Sequence, residues 1–250
     1  MKKSKLAILI VSCDKYSDLW TPFFKLFRTF WPDCIYPIYL GSNNTIYLDD
    51  SIHMITIGDD ISWADNVKLM LDQIEEKYIL MLLEDFFLEK KVKGKDIEEL
   101  FEYVKNNNVD CLRLAPTPPP SKIVDKKLGI GIIEFNAPYC ISTQPSIWNK
   151  DILKRLLHKG YTAWDFEKRN SADVANFGLK LCGTKQFYIK RHNGVERGKY
   201  YASTLKLLNA NGIYVDEKLR GVINDLTITK RSYAILYKVI QFVRVKMKLF

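Results

Sequence analysis

Residues 78–88 read Tyr-Ile-Leu-Met-Leu-Leu-Glu-Asp-Phe-Phe-Leu, an unbroken apolar run of strand length that ends in two adjacent carboxylates. A run that is apolar on both faces is typical of a central strand in a sheet that helices cover on both sides. Glu84 and Asp85 then lie at the carboxyl end of this strand, where open α/β sheets bind their ligands. Because buried acids are costly unless they are paired, hydrogen-bonded or bound to a cation, this pair is the first candidate for a functional site. Adjacent strand residues point to opposite faces, so only one of the two is expected to be essential. The alternative is that these charged residues merely end the strand.

The segments around this strand predict an α/β fold with a doubly wound, mixed central sheet. The first 85 residues show a βαββαβ succession, with strands at 5–12, 35–40, 51–57 and 78–83 and helices at 19–30 and 63–76. The proline-rich run 116–120 interrupts regular structure. The remaining expected elements are helices at 94–106, 149–157 and 164–176 and strands at 111–115, 130–135, 140–144 and 183–189. We expect one domain over residues 1–229.

The composition indicates a globular protein that is not secreted. The chain has 250 residues, of which 47% are hydrophobic and 27% charged. No apolar run approaches the roughly 18 to 20 residues of a membrane span. The apolar run behind the basic start of the chain is too short for a signal peptide and predicts a first strand. The five cysteines and three histidines are scattered, so neither a zinc site nor a disulfide framework is predicted, and a cytoplasmic location is expected.

The net charge of +9 is concentrated near the C-terminus. Residues 230–250 hold six basic residues and no acidic one. The mildly basic remainder argues against a nucleic-acid-binding surface. Drawn as a helix, the segment has one apolar and one basic face, which predicts peripheral contact with the anionic inner face of the cell membrane. The alternative is that its apolar face packs on the domain.

The layout resembles that of GT-A-fold glycosyltransferases over roughly residues 5–200. In that family a nucleotide-binding sheet ends in an Asp-x-Asp motif, whose position residues 78–88 match. A likeness to bacterial enzymes of capsule and lipopolysaccharide synthesis is also present. The resemblance implies sugar transfer, by inversion, from a nucleotide-diphosphate donor to a glycan or lipid-linked glycan. It also implies Mn²⁺ or Mg²⁺ held by Asp85, although Glu-Asp-Phe in place of Asp-x-Asp leaves metal dependence open.

Trp164-Asp165-Phe166-Glu167 is a second acidic segment. The flanking aromatic rings are expected to hold the carboxylates against an apolar wall, which raises a carboxyl pKa toward the range of a general base. In inverting GT-A enzymes the base is a carboxylate near the start of a helix downstream of Asp-x-Asp. The resemblance therefore assigns the catalytic role to Asp165 or Glu167, with Asp165 slightly favoured. The alternative is a pair of solvated helix-surface acids.

Residues 136–148 resemble the segment that lines the donor-sugar and acceptor pocket in this fold. Polar Gln144 and Ser146 beside Trp148 suit a carbohydrate, which has hydroxyls at its edges and an apolar ring face. Trp164 completes the expected set of sugar-binding residues. The alternative is a helix that begins at a proline and packs Trp148 in the core.

Residues 191–199 combine two glycines with basic side chains, a composition that suits oxyanions such as a diphosphate leaving group. An ordinary basic surface loop is the alternative. By analogy of fold, the nucleotide is expected against the loops that follow the first and third strands. The expected donor-binding residues are Ser12, Asp14, Asp60, Glu84, Asp85, Arg197 and Lys199.

Two other classes of protein remain open. A nucleotidyltransferase also combines a doubly wound sheet with metal-binding acids, but it needs a glycine-rich basic loop after the first strand. Residues 12–18 contain no glycine, which disfavours this class. A non-catalytic carbohydrate-binding or scaffold protein would keep the fold without the Asp-x-Asp motif. Donor hydrolysis with Mn²⁺ or Mg²⁺ distinguishes an enzyme from such a scaffold.

Overall fold

Strands and helices alternate along residues 5–225, the part of the chain that the computed structural model describes. Short 3-10 helices precede the first α-helix and follow the fifth. The strands are β1 (Leu6–Val11), β2 (Ile38–Ser42), β3 (His53–Thr56), β4 (Tyr78–Leu83), β5 (Phe86–Leu88), β6 (Cys111–Arg113), β7 (Ile123–Asp125), β8 (Ile130–Ile132), β9 (Ser146–Asn149), β10 (Leu181–Thr184), β11 (Arg191–Asn193), β12 (Val195–Glu196), β13 (Lys199–Tyr201) and β14 (Val222–Ile223). The α-helices are α1 (Trp20–Phe30), α2 (Trp63–Asp72), α3 (Gly94–Asn106), α4 (Lys150–Leu156), α5 (Ala163–Asp173), α6 (Ala202–Ala210) and α7 (Glu217–Arg220).

A nine-stranded mixed sheet forms the centre of the fold, in the order β3-β2-β1-β4-β9-β6-β10-β8-β7. The first four strands in this order are parallel, and β1 pairs with β4 over six residues, from Leu6 opposite Tyr78 to Val11 opposite Leu83. β9 is antiparallel to both of its neighbours, β4 and β6. Two small sheets, β5 with β11 and β12 with β13 and β14, lie beyond the carboxyl end of β4.

Both faces of the sheet are covered by helices, and β1 shows why the strand is apolar throughout. Leu6, Ile8 and Ile10 belong to the core that includes α1 and α3. The alternate side chains of β1 belong to the second core, with α2, α4 and α5. A strand whose two faces are both buried needs apolar residues at every position. The α/β class with a doubly wound, mixed central sheet is thereby confirmed.

The third quarter of the chain differs most from the sequence-based expectation. The strand expected at 140–144 is absent, and the sheet strand is β9, Ser146–Asn149. In the loop before β9, the backbone N–H groups bond to side chains and not to a neighbouring strand. Ile141 N donates to Ser171 Oγ, and Thr143 N donates to Glu167 Oε1. The strand expected at 183–189 ends early, at Thr184, whose hydroxyl donates to Gln186 O.

Two predictions concern residues outside the described range 5–225. These are the basic amphipathic helix at 230–250 and the domain boundary at 229. Within residues 5–225, no helix is both long and apolar enough to cross a bilayer.

Candidate functional site

A cleft of about 950 Å³ opens where the parallel strands β1 and β4 end. Its walls come from the loop after β1, the turn after β4, the start of α5 and the segment from β11 to β12. Carboxyl ends of parallel strands lie at one edge of the sheet, which is why segments far apart in the chain meet here. We call this space the main cleft.

Glu84 and Asp85 occupy the turn between β4 and β5, and both line the main cleft. Both can do so because a turn does not impose the alternation of a strand, and the essential role of only one of them stays a prediction. Burial raises the pKa of the Glu84 carboxyl, and the charge of Asp85 raises it further. Burial also raises the pKa of Asp85, against the opposing effect of Arg191. Two neighbouring carboxyls with raised pKa values make a site that favours a proton or a cation.

Arg191 also lines the main cleft; it belongs to the basic segment 191–199 but is not among the seven expected donor-binding residues. The antiparallel pairing of β11 with β5 brings it beside the turn of Glu84 and Asp85, which we call the acidic turn. Its guanidinium carbon lies 3.5 Å from the centroid of the Phe86 ring, and its Nη2 donates to Gln144 Oε1 at 2.8 Å. Its Nη1 donates to Asn193 Oδ1, whereas its buried Nε has no partner among residues 5–225. Burial lowers the pKa of Arg191 to about 10, while Asp85 and Glu167 oppose this shift.

Asp165 has a structural task at the start of α5. Its carboxylate accepts hydrogen bonds from the Thr162 hydroxyl and backbone N–H, while Thr162 Oγ1 accepts from Asp165 N, which forms a capping box. Arg169 Nε lies 3.0 Å from Asp165 Oδ1. The hydrogen bonds from Thr162 lower the pKa of Asp165, so the expectation of a raised pKa was wrong for this residue. Asp165 does not line the main cleft.

Glu167 does line the main cleft, two residues further along α5. Its Oε1 accepts from Thr143 N at 2.8 Å and from Thr143 Oγ1 at 2.9 Å. Among the residues that the structure describes, its Oε2 has no hydrogen-bond partner. One oxygen of this carboxylate is therefore fixed, and the other is left to act on a ligand.

Four further predicted residues line the main cleft with Gln144. Ser12 Oγ accepts from Trp20 Nε1 at 2.8 Å, and Asp60 Oδ1 accepts from Asn66 Nδ2 at 2.6 Å. The Trp164 side chain is 65% exposed, and Lys168 Nζ lies over its ring at 5.5 Å from the centroid. Arg197, in the turn between β12 and β13, is exposed at the rim. The structure brings these residues together, and their binding roles stay predictions.

Four other predicted residues are not in the cleft. The Asp14 carboxylate accepts from the backbone N–H groups of residues 43–45 and thereby holds the loop after β2. Ser146 is fully buried and donates to Gln144 O. Trp148 is also fully buried and packs edge-on against Phe166, as the alternative expected, but it lies on strand β9 and not on a helix that begins at a proline. Lys199 is exposed on β13 and does not line the cleft.

Carboxylates outnumber cationic groups around the main cleft. Its described lining contains Asp60, Glu84, Asp85, Glu167 and Glu196 against Arg191 and Arg197. An anionic ligand such as a diphosphate therefore needs a cation to accompany it. Residues 5–225 contain no group of three or more His, Cys, Asp and Glu side chains that would enclose a metal ion. Mg²⁺ bound with a nucleotide usually takes only one or two protein carboxylates, the rest being phosphates and waters, and the acidic turn fits this mode.

Comparisons with known proteins give only distant similarity. No protein-family model and no curated protein matches the chain. A cytidylyltransferase from Leptospira borgpetersenii serovar Hardjo-bovis is similar over 90% of this chain and 98% of that chain, with 10% identity and a TM-score of 0.46. S. aureus TarS 1–349 in complex with UDP is similar over 84% and 65%, with 10% identity and a TM-score of 0.45. Bifunctional IspDF from Campylobacter jejuni is similar over 76% of this chain and about half (52%) of its own, with 16% identity and a TM-score of 0.44. At these scores the site itself has to carry any functional argument.

Proposed function

We propose that the chain is a glycosyltransferase that moves a sugar from a nucleotide-diphosphate donor to a hydroxyl of a glycan, with inversion at the anomeric carbon. The observation that carries this proposal is the meeting of two carboxylate sites of different character in one cleft. The acidic turn of Glu84 and Asp85 suits a cation. Glu167, with one oxygen held by Thr143, suits proton transfer. Arg191 lies close enough to both Asp85 and Glu167 for each charge to act on it.

The donor is assigned to the acidic turn and the loop after β1. Ser12 and Asp60 provide polar groups for the nucleoside at the edge of the sheet. Arg191 and Arg197 provide the cationic groups for the diphosphate. A divalent ion held by Asp85, with Glu84 beside it, would neutralise the negative charge that develops on the leaving diphosphate. Trp164 offers an exposed ring to the sugar.

Glu167 is assigned the role of general base. The acceptor oxygen attacks the anomeric carbon while the bond from that carbon to the diphosphate oxygen breaks. Glu167 Oε2 takes the proton of the acceptor hydroxyl, and the bonding electrons leave with the diphosphate. Arg191 stabilises the charge on that leaving group, and the cleft residues that hold the donor supply orientation. The narrower setting, a lipid-linked acceptor in surface-polysaccharide synthesis at the inner membrane face, rests on the family resemblance and on residues 230–250.

A thermal-shift screen of UDP-, GDP-, CMP- and dTDP-sugars, with and without Mn²⁺, tests the donor assignment. A donor at about 100 times its Kd stabilises the fold by about 2.7 kcal/mol, which corresponds to about 5 to 10 °C in Tm for a chain of this size. We expect such a shift with one nucleotide class in the presence of Mn²⁺, and its loss in Asp85→Asn. The same donor should be hydrolysed slowly by the wild type.

Two outcomes would overturn the proposal. Binding of nucleotide sugars with no hydrolysis and no transfer to any glycan would indicate a carbohydrate-binding protein. Turnover of a nucleoside triphosphate with a sugar phosphate, releasing pyrophosphate, would indicate a nucleotidyltransferase. Wild-type turnover in Asp85→Asn would remove the acidic turn from the mechanism.

A further inference from the structure

A second cavity, of about 370 Å³, adjoins the main cleft. It shares Gln144, Arg191, Asn193 and Tyr201 with the cleft. The rest of its lining comes from residues after β6, from the loop between β10 and β11, and from Pro145, His192 and Asp225. We call this space the side chamber. Its volume falls within the range of small-molecule sites.

The wall between the two spaces is a defined set of contacts. Arg191 stacks on Phe86 and donates to Gln144 and to Asn193, so the guanidinium is held from three sides. Gln144 directly follows Thr143, whose N–H and hydroxyl hold Glu167. Thr143 therefore anchors the general base, and the next residue, Gln144, forms part of the boundary of the side chamber. Gln144 lines both spaces, so the side chamber meets the main cleft beside the residue that anchors Glu167.

The side chamber has an apolar side and a polar side. Ala115, Pro145, Ile189 and the ring of Phe187, which is 52% exposed, form the apolar side. Thr117, His192, Asn193 and Asp225 form the polar side. A sugar ring has this same division, with carbon–hydrogen groups on its face and hydroxyls at its edge. A purely hydrocarbon ligand would leave the polar groups without partners, which is costly.

The polar groups are fixed in place before any ligand arrives. Ser203 Oγ lies 2.8 Å from His192 Nε2 and also donates to Asp225 Oδ1. Ser203 N donates to Asp225 Oδ2 at 3.0 Å. On the other edge of the ring, His192 Nδ1 lies 3.7 Å from Glu89 Oε2. Side chains held in this way lose little freedom on binding, which favours a specific ligand over a chance one.

We propose that the side chamber binds the acceptor sugar of the reaction, a hexopyranoside or a close relative. Its ring lies on Phe187, its hydroxyls bond to His192 and Asp225, and the reacting hydroxyl extends into the main cleft at the shared boundary, toward Glu167. This inference rests on the proposed function, because it names the acceptor site of the same reaction. It goes beyond that proposal by assigning the acceptor to residues outside the main cleft.

Binding of methyl glycosides to the full chain tests the assignment. The probes are the methyl α- and β-glycosides of glucose, galactose, mannose and N-acetylglucosamine, and the readout is the NMR signal of the methyl-labelled isoleucines. At least one probe should shift the Ile189 methyl signal and leave that of exposed Ile61 unchanged. Phe187→Ala should weaken this binding about tenfold or more, since a stacked ring is lost. Tyr214→Ala is the matched control, because Tyr214 is 82% exposed and lines neither space.

The outcomes separate this inference from the proposed function. If the wild type hydrolyses a nucleotide sugar and no glycoside shifts Ile189, or Phe187→Ala binds as well as the wild type, the acceptor assignment is wrong and the proposed function stands. If a glycoside binds at Ile189 but no nucleotide sugar binds or reacts, the side chamber is a carbohydrate site without an acceptor role. Transfer to the glycoside that shifts Ile189, weakened in Phe187→Ala and kept in Tyr214→Ala, supports the inference.

Discussion

Replacement of Glu84 by glutamine should make the protein more stable at neutral and alkaline pH. The folded protein keeps the proton on Glu84 to a higher pH than the unfolded chain does, because burial and the charge of Asp85 raise its pKa. Below about pH 4.3 the carboxyl is protonated in both states, so wild type and Glu84→Gln should unfold alike. As the pH rises, the unfolded state releases the proton first, and the wild type loses stability until the raised pKa is passed. Glutamine carries no such proton.

The size of the effect follows from the pKa difference. Each unit by which the folded pKa exceeds the unfolded one costs about 1.4 kcal/mol once the pH is above both values. For a chain of this size, one such unit corresponds to about 3 to 6 °C in Tm. Differential scanning calorimetry from pH 4 to pH 9 should show the two melting curves diverging as the pH rises. Mn²⁺ should reduce the gap, because a bound cation stabilises the ionised form.

Asp165→Asn is the matched control, because the pKa shift of Asp165 has the opposite sign. The hydrogen bonds from Thr162 lower that pKa, so ionised Asp165 stabilises the fold above its unfolded pKa and ceases to do so as the pH falls. Asp165→Asn should therefore be less stable than the wild type at neutral pH, and the gap should close in acid. Parallel stability curves for Glu84→Gln and the wild type at all pH values would refute the reasoning about the acidic turn.

Three further predictions concern single residues. Glu167→Gln should lower turnover about 10² to 10⁴-fold and keep donor binding in a thermal-shift assay, while Asp165→Asn should keep near-normal turnover. Equal activity of Glu167→Gln and the wild type would exclude Glu167 as the base. Arg191→Lys keeps the charge but loses one of the hydrogen bonds to Gln144 and Asn193 and much of the stacking on Phe86, so turnover should fall by about 10²-fold in steady-state kinetics. An unchanged kcat would mean that Arg191 only supports the wall between the main cleft and the side chamber. Trp148→Ala should cost about 3 to 5 kcal/mol in urea unfolding because the side chain is fully buried, while exposed Trp164→Ala should cost little, and the reverse order would contradict the packing.

The parts of the fold that the sequence predicts well are those whose residues are buried on both faces or strictly periodic. The strand at Tyr78–Leu83 and the helix at Gly94–Asn106 have the bounds that the sequence predicts. β9 was missed because its place between β4 and β6 is decided by pairing with strands more than thirty residues away. The loop before it has a strand-like composition, yet side chains of α5 satisfy its backbone. Local pattern does not contain that information.

The same distinction separates the parts of the site that were found from those that were missed. Glu84 and Asp85 are conspicuous because they end an apolar run. Arg191 reaches them only through the pairing of β11 with β5, two strands about a hundred residues apart in the chain. The choice between Asp165 and Glu167 had a local signal that was not used. Thr162-x-x-Asp165 is a capping-box pattern, which marks Asp165 as the structural acid of α5.

The energetics of the acidic turn give a reason to regard it as functional. A turn between two buried strands can be made from neutral residues, yet this one has two adjacent carboxyls whose charged forms are disfavoured by burial. Arg191 compensates only part of this cost, since its own burial also disfavours its charge. A divalent cation that binds with its anionic ligand would supply the counter-charge, and it would stabilise the ionised carboxylates of the acidic turn. The stability gain of Glu84→Gln and its reduction by Mn²⁺ therefore test the same physical statement from two sides, because both measure the free-energy cost of ionising a buried carboxyl beside Asp85.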